Sequence, residues 1–381
     1  MTPTPAPSSP LTADEAMRLA LSLARAASTT APPNPAVGCV IVAPDGRMIG
    51  SGHTQRTGGP HAEVMALRDA AARGASTAGA TAFVTLEPCA HHGRTGPCCD
   101  ALAQAGIGKV VASLADPNPL VAGQGFERLR AAGVEVEVGP LAMEARELNL
   151  GFFSRMVRQS PWVRLKAAAS IDGKTALENG TSQWITGERA RADGHAWRAR
   201  AGAILTGVGT VIEDDPRLDV RLVETVRQPP LVIVDSRLQT PPNARLFEVE
   251  RPVWIYAAAR DEAKALALEA RGATIGCLAN ADGKVDLAAL LADLARREVN
   301  ELHVEAGHKL NGSLMREGLV DEILLYLAPK FIGDGLGIAS RPHAGGPLTA
   351  LSEALALEFR SFDAIGPDLR IVARVAGRDK F

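Results

Sequence analysis

Three residues with metal-ligand chemistry, His61, Cys89 and Cys98, constrain this chain more than any other feature. His61-Ala62-Glu63 opens a helical pattern, Pro88-Cys89 follows a buried-looking strand, and Cys98 comes nine residues later. One imidazole and two thiolates are three soft ligands for Zn2+, and a tetrahedral ion then keeps its fourth position for water. Zn2+ lowers the pKa of such a water towards neutrality, so an open site is a hydrolytic one. Glu63, in the first turn of the helix, reaches the neighbouring water and can shuttle its protons. A structural zinc site or three unrelated buried residues is the competing reading, and it loses ground as the elements accumulate in order. Cys99 competes with Cys98 as the third ligand; Pro97 fixes the approach of Cys98 and leaves Cys99 to point into the following helix. For one ion to be shared, a helix start, a strand end and a loop must converge.

The surrounding elements alternate. Ala16, Leu19, Ala20 and Leu23 recur at helical spacing, with Thr12 or Asp14 as the cap. Residues 36–43 and 48–53 read as a hairpin joined at Asp45-Gly46. A helix over 61–74 has Pro60 near its start and Gly74 at its end. Then come a strand over 81–86, a helix over 100–105, a strand over 109–114, a helix over 124–132 and a strand over 134–138. This alternation predicts an α/β fold, a sheet covered by helices. Near Arg155–Pro161 the pattern resets, which puts a boundary at about residue 159. Beyond it, residues 162–170, 201–208, 229–236, 252–258, 301–307 and 322–329 read as strands and 261–272 and 287–298 as helices. A length of 381 residues suits this division into a disordered tail over 1–10 and domains over 11–158 and 159–381.

Charge and composition exclude several functions. The first 158 residues hold 13 basic and 13 acidic side chains and the rest hold 28 and 30, so neither half is a basic nucleic-acid module. Aromatics at 4% are too few for a base-stacking platform. No run approaches the roughly 18–20 apolar residues of a membrane helix. The opening MTPTPAPSSP lacks the basic and apolar regions of a secretory signal, and five sparse cysteines are no secreted framework, so a cytoplasmic location is expected.

An H-x-E followed by P-C-x-x-C is the grammar of zinc nucleobase deaminases, in which the glutamate is the acid/base and not a ligand. Here the second cysteine comes at P-C-x8-C, and the longer loop carries His91, His92, Arg94 and Thr95. NPAVGCVIV, HAEVMAL, VTLEPCAHHGRTGPC and DPNPLVAGQG together resemble the deaminase half of the bifunctional RibD family of riboflavin biosynthesis. LKAAASIDGKTA, SQWITGERAR and DDPRLDVR resemble its reductase half, and the likeness spans about residues 11–330. It implies an N-terminal cytidine-deaminase-like three-layer domain and a C-terminal dihydrofolate-reductase-like domain. The implied reactions are zinc-dependent deamination of 2,5-diamino-6-ribosylamino-4(3H)-pyrimidinone 5′-phosphate and NADPH reduction of its ribosyl chain to ribityl. His61, Cys89 and Cys98 would hold the zinc and Glu63 would carry the proton. Asn34 and His53 occupy motif positions that would contact the base, and His91 and Arg94 could bind the ribose phosphate.

The second half has no complete dinucleotide fingerprint. Gly207-Val208-Gly209 lacks the third glycine, and a lone G-x-G is more often a tight turn. HVEAGHKLNGS has phosphate-loop spacing, but Ser313 stands where the lysine should be, so ATP binding is not expected. A glycine turn into a helix N-terminus can still hold a cofactor phosphate. The resemblance implies that Ala168, Trp184, Thr210, Asp214, Ser236 and the loop Gly307, His308, Lys309, Leu310, Asn311, Gly312 and Ser313 line NADPH. Ser182, Arg198, Leu218, Arg221 and Glu305 would face the substrate, and two arginines suit a sugar phosphate. Lys166 and Asp172 rank below them, Asp172 most simply as a turn residue, and no general acid for the reduction stands out. Past about Asp334 the likeness thins and carries no function. The implied partner is a small phosphorylated pyrimidine, without nucleic acid or membrane, and homo-oligomerisation is left open. The alternatives are a nucleic-acid base deaminase and a zinc-stabilised nucleotide-binding protein.

Overall fold

A computed structural model describes residues 10–90, 96–118, 122–340 and 347–381. The chain divides into two compact units, Met1–Arg158 and Gln159–Phe381. Apart from Pro10, the tail expected over 1–10 lies outside the described residues.

The first unit opens with α1 (Ala13–Ala27), whose start is a reciprocal cap: the Glu15 N–H donates to the Thr12 hydroxyl and the Thr12 N–H to the Glu15 carboxylate. There follow β1 (Gly38–Val42), β2 (Met48–His53), α2 (Ala62–Ala72), β3 (Thr81–Val84), α3 (Cys98–Gln104), β4 (Lys109–Ala112), α4 (Gln124–Ala131) and β5 (Glu135–Val138). Two helices close the unit, α5 (Ala142–Leu148) and α6 (Leu150–Arg158). The sheet order is β2-β1-β3-β4-β5, antiparallel from β2 to β3 and parallel from β3 to β5. Ala16, Met17 and Ala20 of α1 pack on Val40, Val42, Phe83 and Val111. On that face Gly38 touches α1 so closely that a Cβ would overlap the Ala20 carbonyl. Gly52 pairs with Cys39, the neighbour of Gly38, and therefore faces the other way, against α2. Helices thus cover both faces, giving three layers.

The second unit begins with β6 (Trp162–Ser170), β7 (Lys174–Leu177), α7 (Glu188–Arg200), β8 (Ala203–Gly207), α8 (Val208–Asp214), β9 (Leu231–Val234) and β10 (Val253–Ala257). It continues through α9 (Glu262–Glu269), β11 (Ala273–Cys277), α10 (Leu287–Arg296), β12 (Glu301–Val304), α11 (His308–Arg316), β13 (Glu322–Ala328) and β14 (Gly335–Gly337). A last hairpin is β15 (Leu357–Ile365) and β16 (Asp368–Val375). Nine strands form one sheet in the order β11-β10-β9-β8-β12-β6-β13-β16-β15, and β7 pairs with β14 apart from it. The strands from β11 to β13 are parallel, and β13, β16 and β15 are antiparallel. Leu290, Leu291 and Leu294 of α10 bury against Val163, Leu205 and Leu302 of the sheet.

Several sequence expectations change. Gly207 caps a short helix rather than making an isolated turn. Gly307–Ser313 is not a loop: Gly307 is the cap and His308–Ser313 are the first turns of α11. The stretch past Asp334, where no strands were read, supplies β14 and the two strands that finish the main sheet. Helix α7 escaped detection because it buries Ala190, Gly194, His195 and Ala199, which form no apolar stripe.

Candidate functional site

His61 is the N-cap of α2, in an extended conformation (φ −75°, ψ 170°), and Cys98 is the first residue of α3. Cys89 lies between them in the loop that leaves β3. The His61 Nδ1 stands 3.5 Å from the Cys89 Sγ and 3.3 Å from the Cys98 Sγ. All three ligand atoms lie within 4.8 Å of one another. Bond lengths of about 2.3 Å to sulfur and 2.0–2.1 Å to nitrogen put neighbouring corners of a zinc tetrahedron about 3.5–3.8 Å apart, so this donor set fits Zn2+. The Cys99 Sγ is turned to Asp100 Oδ1 at 3.7 Å, away from the triad. Cys89 is pulled down to about 4, first by the hydrogen bond from Cys98 and, against burial, by His61. Cys98 is raised in turn, first by the same hydrogen bond and then by burial. Glu63 is 3% exposed, and its carboxyl is pushed up to about 7, first by burial and then by the Cys89 charge. It is no solvated surface acid.

The connection from β2 to α2 links the segments that carry Asn34 and His53. The Gln55 N–H donates to the Pro60 carbonyl (3.1 Å), which draws His53 at the end of β2 towards the start of α2. The Thr57 hydroxyl donates to the Pro32 carbonyl (3.3 Å), tying the loop of Asn34 to the same connection. Asn34 and His53 are both half-buried. His91 and Arg94 lie outside the described residues.

In the second unit β8 and β12 are neighbours, and each runs into a helix capped by glycine, Gly207 for α8 and Gly307 for α11. Neither cap supplies a side-chain hydrogen bond, so the first N–H groups of α11 are available to an anion. Among the described residues, a Cβ at Gly307 would meet only Thr210 Oγ1, at 3.8 Å. These open amides beside glycine fit a dinucleotide phosphate. Of the residues expected to line the cofactor, Gly307 and Lys309 are exposed, while His308, Leu310 and Ser313 are half-buried. Asn311 and Gly312 are buried. The Asn311 Nδ2 donates to the Ala306 and Ile338 carbonyls (3.1 and 3.0 Å), and a Cβ at Gly312 would overlap the Ser340 carbonyl, so both anchor the segment at 338–340. The Ser236 hydroxyl accepts the Val285 N–H at 3.1 Å. Trp184 is 61% exposed with the Arg191 guanidinium 4.7 Å from its ring centre. Ala168 lies on β6, and Asp214 ends α8.

Of the substrate candidates, Arg198 meets Glu305 directly. Arg198 closes its fork on that carboxylate, Nη2 to Oε2 at 2.9 Å and Nε to Oε1, and its Nη1 donates to the Asp219 carbonyl at 2.8 Å. Three of its five N–H donors are thus used within the protein. Lys166 Nζ is 3.5 Å and His303 Nε2 3.3 Å from the same carboxylate. Burial alone would raise Glu305, but Arg198 and then Lys166 outweigh it and hold the carboxyl well below its usual range. Arg221 has a half-exposed side chain paired with Asp219. Leu218 is buried at φ 51°, its carbonyl held by Arg251 Nη1 at 2.6 Å, and Ser182 is half-buried. Asp172 does more than turn the chain: it accepts the Ile332 and Gly333 N–H groups (3.1 and 2.8 Å). Sequence reasoning missed His195 and His303. The one signal for His303 is strand alternation, since Glu301, His303 and Glu305 share one side of the chain.

Residues 11–114 match the cytidine and deoxycytidylate deaminase zinc-binding region, and residues 161–371 match the RibD C-terminal domain. The second match carries the likeness well past the limit read near residue 330. The riboflavin biosynthesis protein RibD of Escherichia coli is 43% identical over 366 residues, 93% of this chain and 96% of that protein. The RibD of Aquifex aeolicus is 41% identical over 93% of this chain and 96% of its own length. Among solved structures, Acinetobacter baumannii RibD is similar with a TM-score of 0.86 at 38% identity, covering 95% of this chain and 98% of that one. A diaminohydroxyphosphoribosylaminopyrimidine deaminase/5-amino-6-(5-phosphoribosylamino)uracil reductase of Thermotoga maritima follows at 0.81 and 31%, over 95% and 98%.

Proposed function

The chain belongs to the RibD family of riboflavin biosynthesis, and on that premise we propose how its residues divide a deamination and a reduction. It is a bifunctional enzyme, a zinc-dependent deaminase and an NADPH-dependent reductase. We assign the deaminase to 11–158 and the reductase to 159–381. The substrate is 2,5-diamino-6-ribosylamino-4(3H)-pyrimidinone 5′-phosphate, in keeping with the activities named for the Thermotoga relative. The observation that carries the reading is the meeting of His61, Cys89 and Cys98 beside the buried Glu63. No described helix is long and apolar enough to cross a membrane, and the reading places the enzyme in the cytoplasm.

In the deaminase, His61, Cys89 and Cys98 would hold the zinc ion. When bound, the ion supplies a Lewis acid that makes water nucleophilic near neutral pH. Glu63 moves the water's protons to the departing amine as a C–O bond forms at the ring carbon bearing that amine and the exocyclic C–N bond breaks, releasing ammonia. Asn34 and His53 hydrogen-bond the pyrimidine, and His91 and Arg94 take the ribose phosphate.

In the reductase, NADPH supplies the hydride. Gly307 and the first amides of α11 receive its phosphate, and Ala168, Trp184, Thr210, Asp214 and Ser236 line the rest. Arg198, Lys166 and His303 hold Glu305 in one orientation so that its remaining lone pairs meet the sugar hydroxyls. Arg221, the arginine left half-exposed, takes the substrate phosphate with Ser182, while Leu218 packs beside it.

The test is Glu63→Gln. It keeps its zinc, loses ammonia release from the diaminopyrimidinone phosphate, and still reduces the deaminated compound with NADPH. Undiminished ammonia release would remove Glu63 from the reaction. The unmodified enzyme releases ammonia without NADPH and yields the ribityl product only with it.

A further inference from the structure

The eight residues between Cys89 and Cys98 pose a geometric problem. A two-residue turn between cysteine ligands sets their separation by its own stiffness, whereas a longer loop leaves it free. Another element must set it. Glu87, two residues before Cys89, is 6% exposed, and its hydrogen-bond partners are backbone N–H groups. Oε2 accepts from Asp116 (3.0 Å) and Gly123 (2.9 Å), and Oε1 from Gly125 (2.8 Å) and Phe126 (3.4 Å). The last two belong to the first turn of α4, where the helix dipole favours a negative charge. Gly125 lies so close that a Cβ would overlap the Pro88 carbonyl, so the start of α4 is pressed onto the chain just before Cys89.

From the same helix Arg128 reaches back over both cysteines. Its Nη1 donates to the carbonyl of Ala90, the residue after Cys89, at 3.1 Å. Its Nη2 and Nε meet the carboxylate of Asp100, two residues after Cys98, each at 2.6 Å. The Cys99 N–H closes the ring on the Cys89 carbonyl at 3.3 Å.

We propose that Glu87 and Arg128 are positioning residues of the metal site: α4, latched by Glu87 and clasped to both ends of the cysteine loop by Arg128, sets the separation of Cys89 and Cys98. The inference rests on the zinc reading of the triad. Glutamine cannot replace Glu87, because its amide would turn N–H donors against N–H donors.

The experiment measures zinc release to excess chelator by the full-length protein, with the cobalt-substituted absorption spectrum as a record of ligand geometry. Glu87→Gln and Arg128→Met each speed release by about 10- to 100-fold, the usual range for groups that orient metal ligands. Each shifts the cobalt bands and lowers deaminase kcat with little change in KM, while NADPH oxidation by the same chain stays at the parental rate. The double variant releases zinc no faster than the worse single one, since both act through α4. Parental release rates and cobalt spectra in both single variants overturn the proposal. A parent that holds no zinc overturns the reading beneath it as well. Arg128 is 46% exposed, so Arg128→Met decides the matter even where Glu87→Gln fails to fold.

Discussion

The imidazole of His195 ties together two arginines of the second unit, Arg198 and Arg221. Its Nδ1 accepts the Arg221 N–H at 3.1 Å, and its Nε2 lies 3.5 Å from Arg198 Nη1. Burial first, then the charges of Arg198 and Arg221, push it down to about 4. Because the folded pKa lies below the ordinary value of 6.5, its contribution to stability is complete above pH 6.5 and is lost as pH falls from 6.5 to 4. A histidine NMR titration will show one imidazole with an inflection near 4, and His195→Gln will flatten the stability profile across that interval. An inflection near 6.5 with an unchanged profile contradicts the argument. Single residues differ in how legible they are. Glu63 and the triad stand in short motifs whose chemistry is local, whereas His195 meets Arg221 26 residues away and Glu87 meets Asp116 29 residues away.

At the scale of elements, the contact of β2 with α2 sets where His61 and Glu63 stand. A Cβ at Gly52 would lie 2.6 Å from Ala66 N and 2.7 Å from the Ala62 carbonyl, and backbone cannot rotate out of the way. Gly52→Ala must therefore push α2 from the sheet, at a cost of about 1–3 kcal/mol. Thermal unfolding of the first unit will fall, and zinc retention and ammonia release with it, while the reductase is spared. Unchanged zinc retention would show that α2 tolerates the shift. Elements with strong local signals were readable: α1 from its cap and stripe, and the β1–β2 hairpin from Asp-Gly. Helix α7 was not, because its buried residues are alanine, glycine and histidine, which make no strong apolar stripe. The start of α11 read as a loop because Gly307 and Gly312 look like turn residues, although Gly312 is required by the closeness of Ser340.

For the whole molecule, the two units bear different chemistries, and one treatment separates them. A strong chelator abolishes ammonia release and leaves NADPH oxidation by the deaminated ribosylaminouracil phosphate intact. Loss of both activities would mean that the reductase also depends on the metal. The net charge of −2 gives no general attraction for phosphate, so binding falls to a few placed cations and amides. Of the two arginines the sequence offered, Arg198 pairs with the buried Glu305, and Arg221 is half-exposed beside Asp219.

By itself, the amino-acid sequence singled out a candidate zinc ligand set and the glutamate beside it, and determined the α/β class and the likeness to a two-activity family. These are written in residue chemistry at short spacing and in periodicity, which need no knowledge of distant partners. Only the tertiary structure decided what each buried charge faces. Arg198 meets Glu305 across 107 residues, and Glu87 meets Gly125 across 38. Strand order and helix packing bring such pairs together, and no local pattern encodes either.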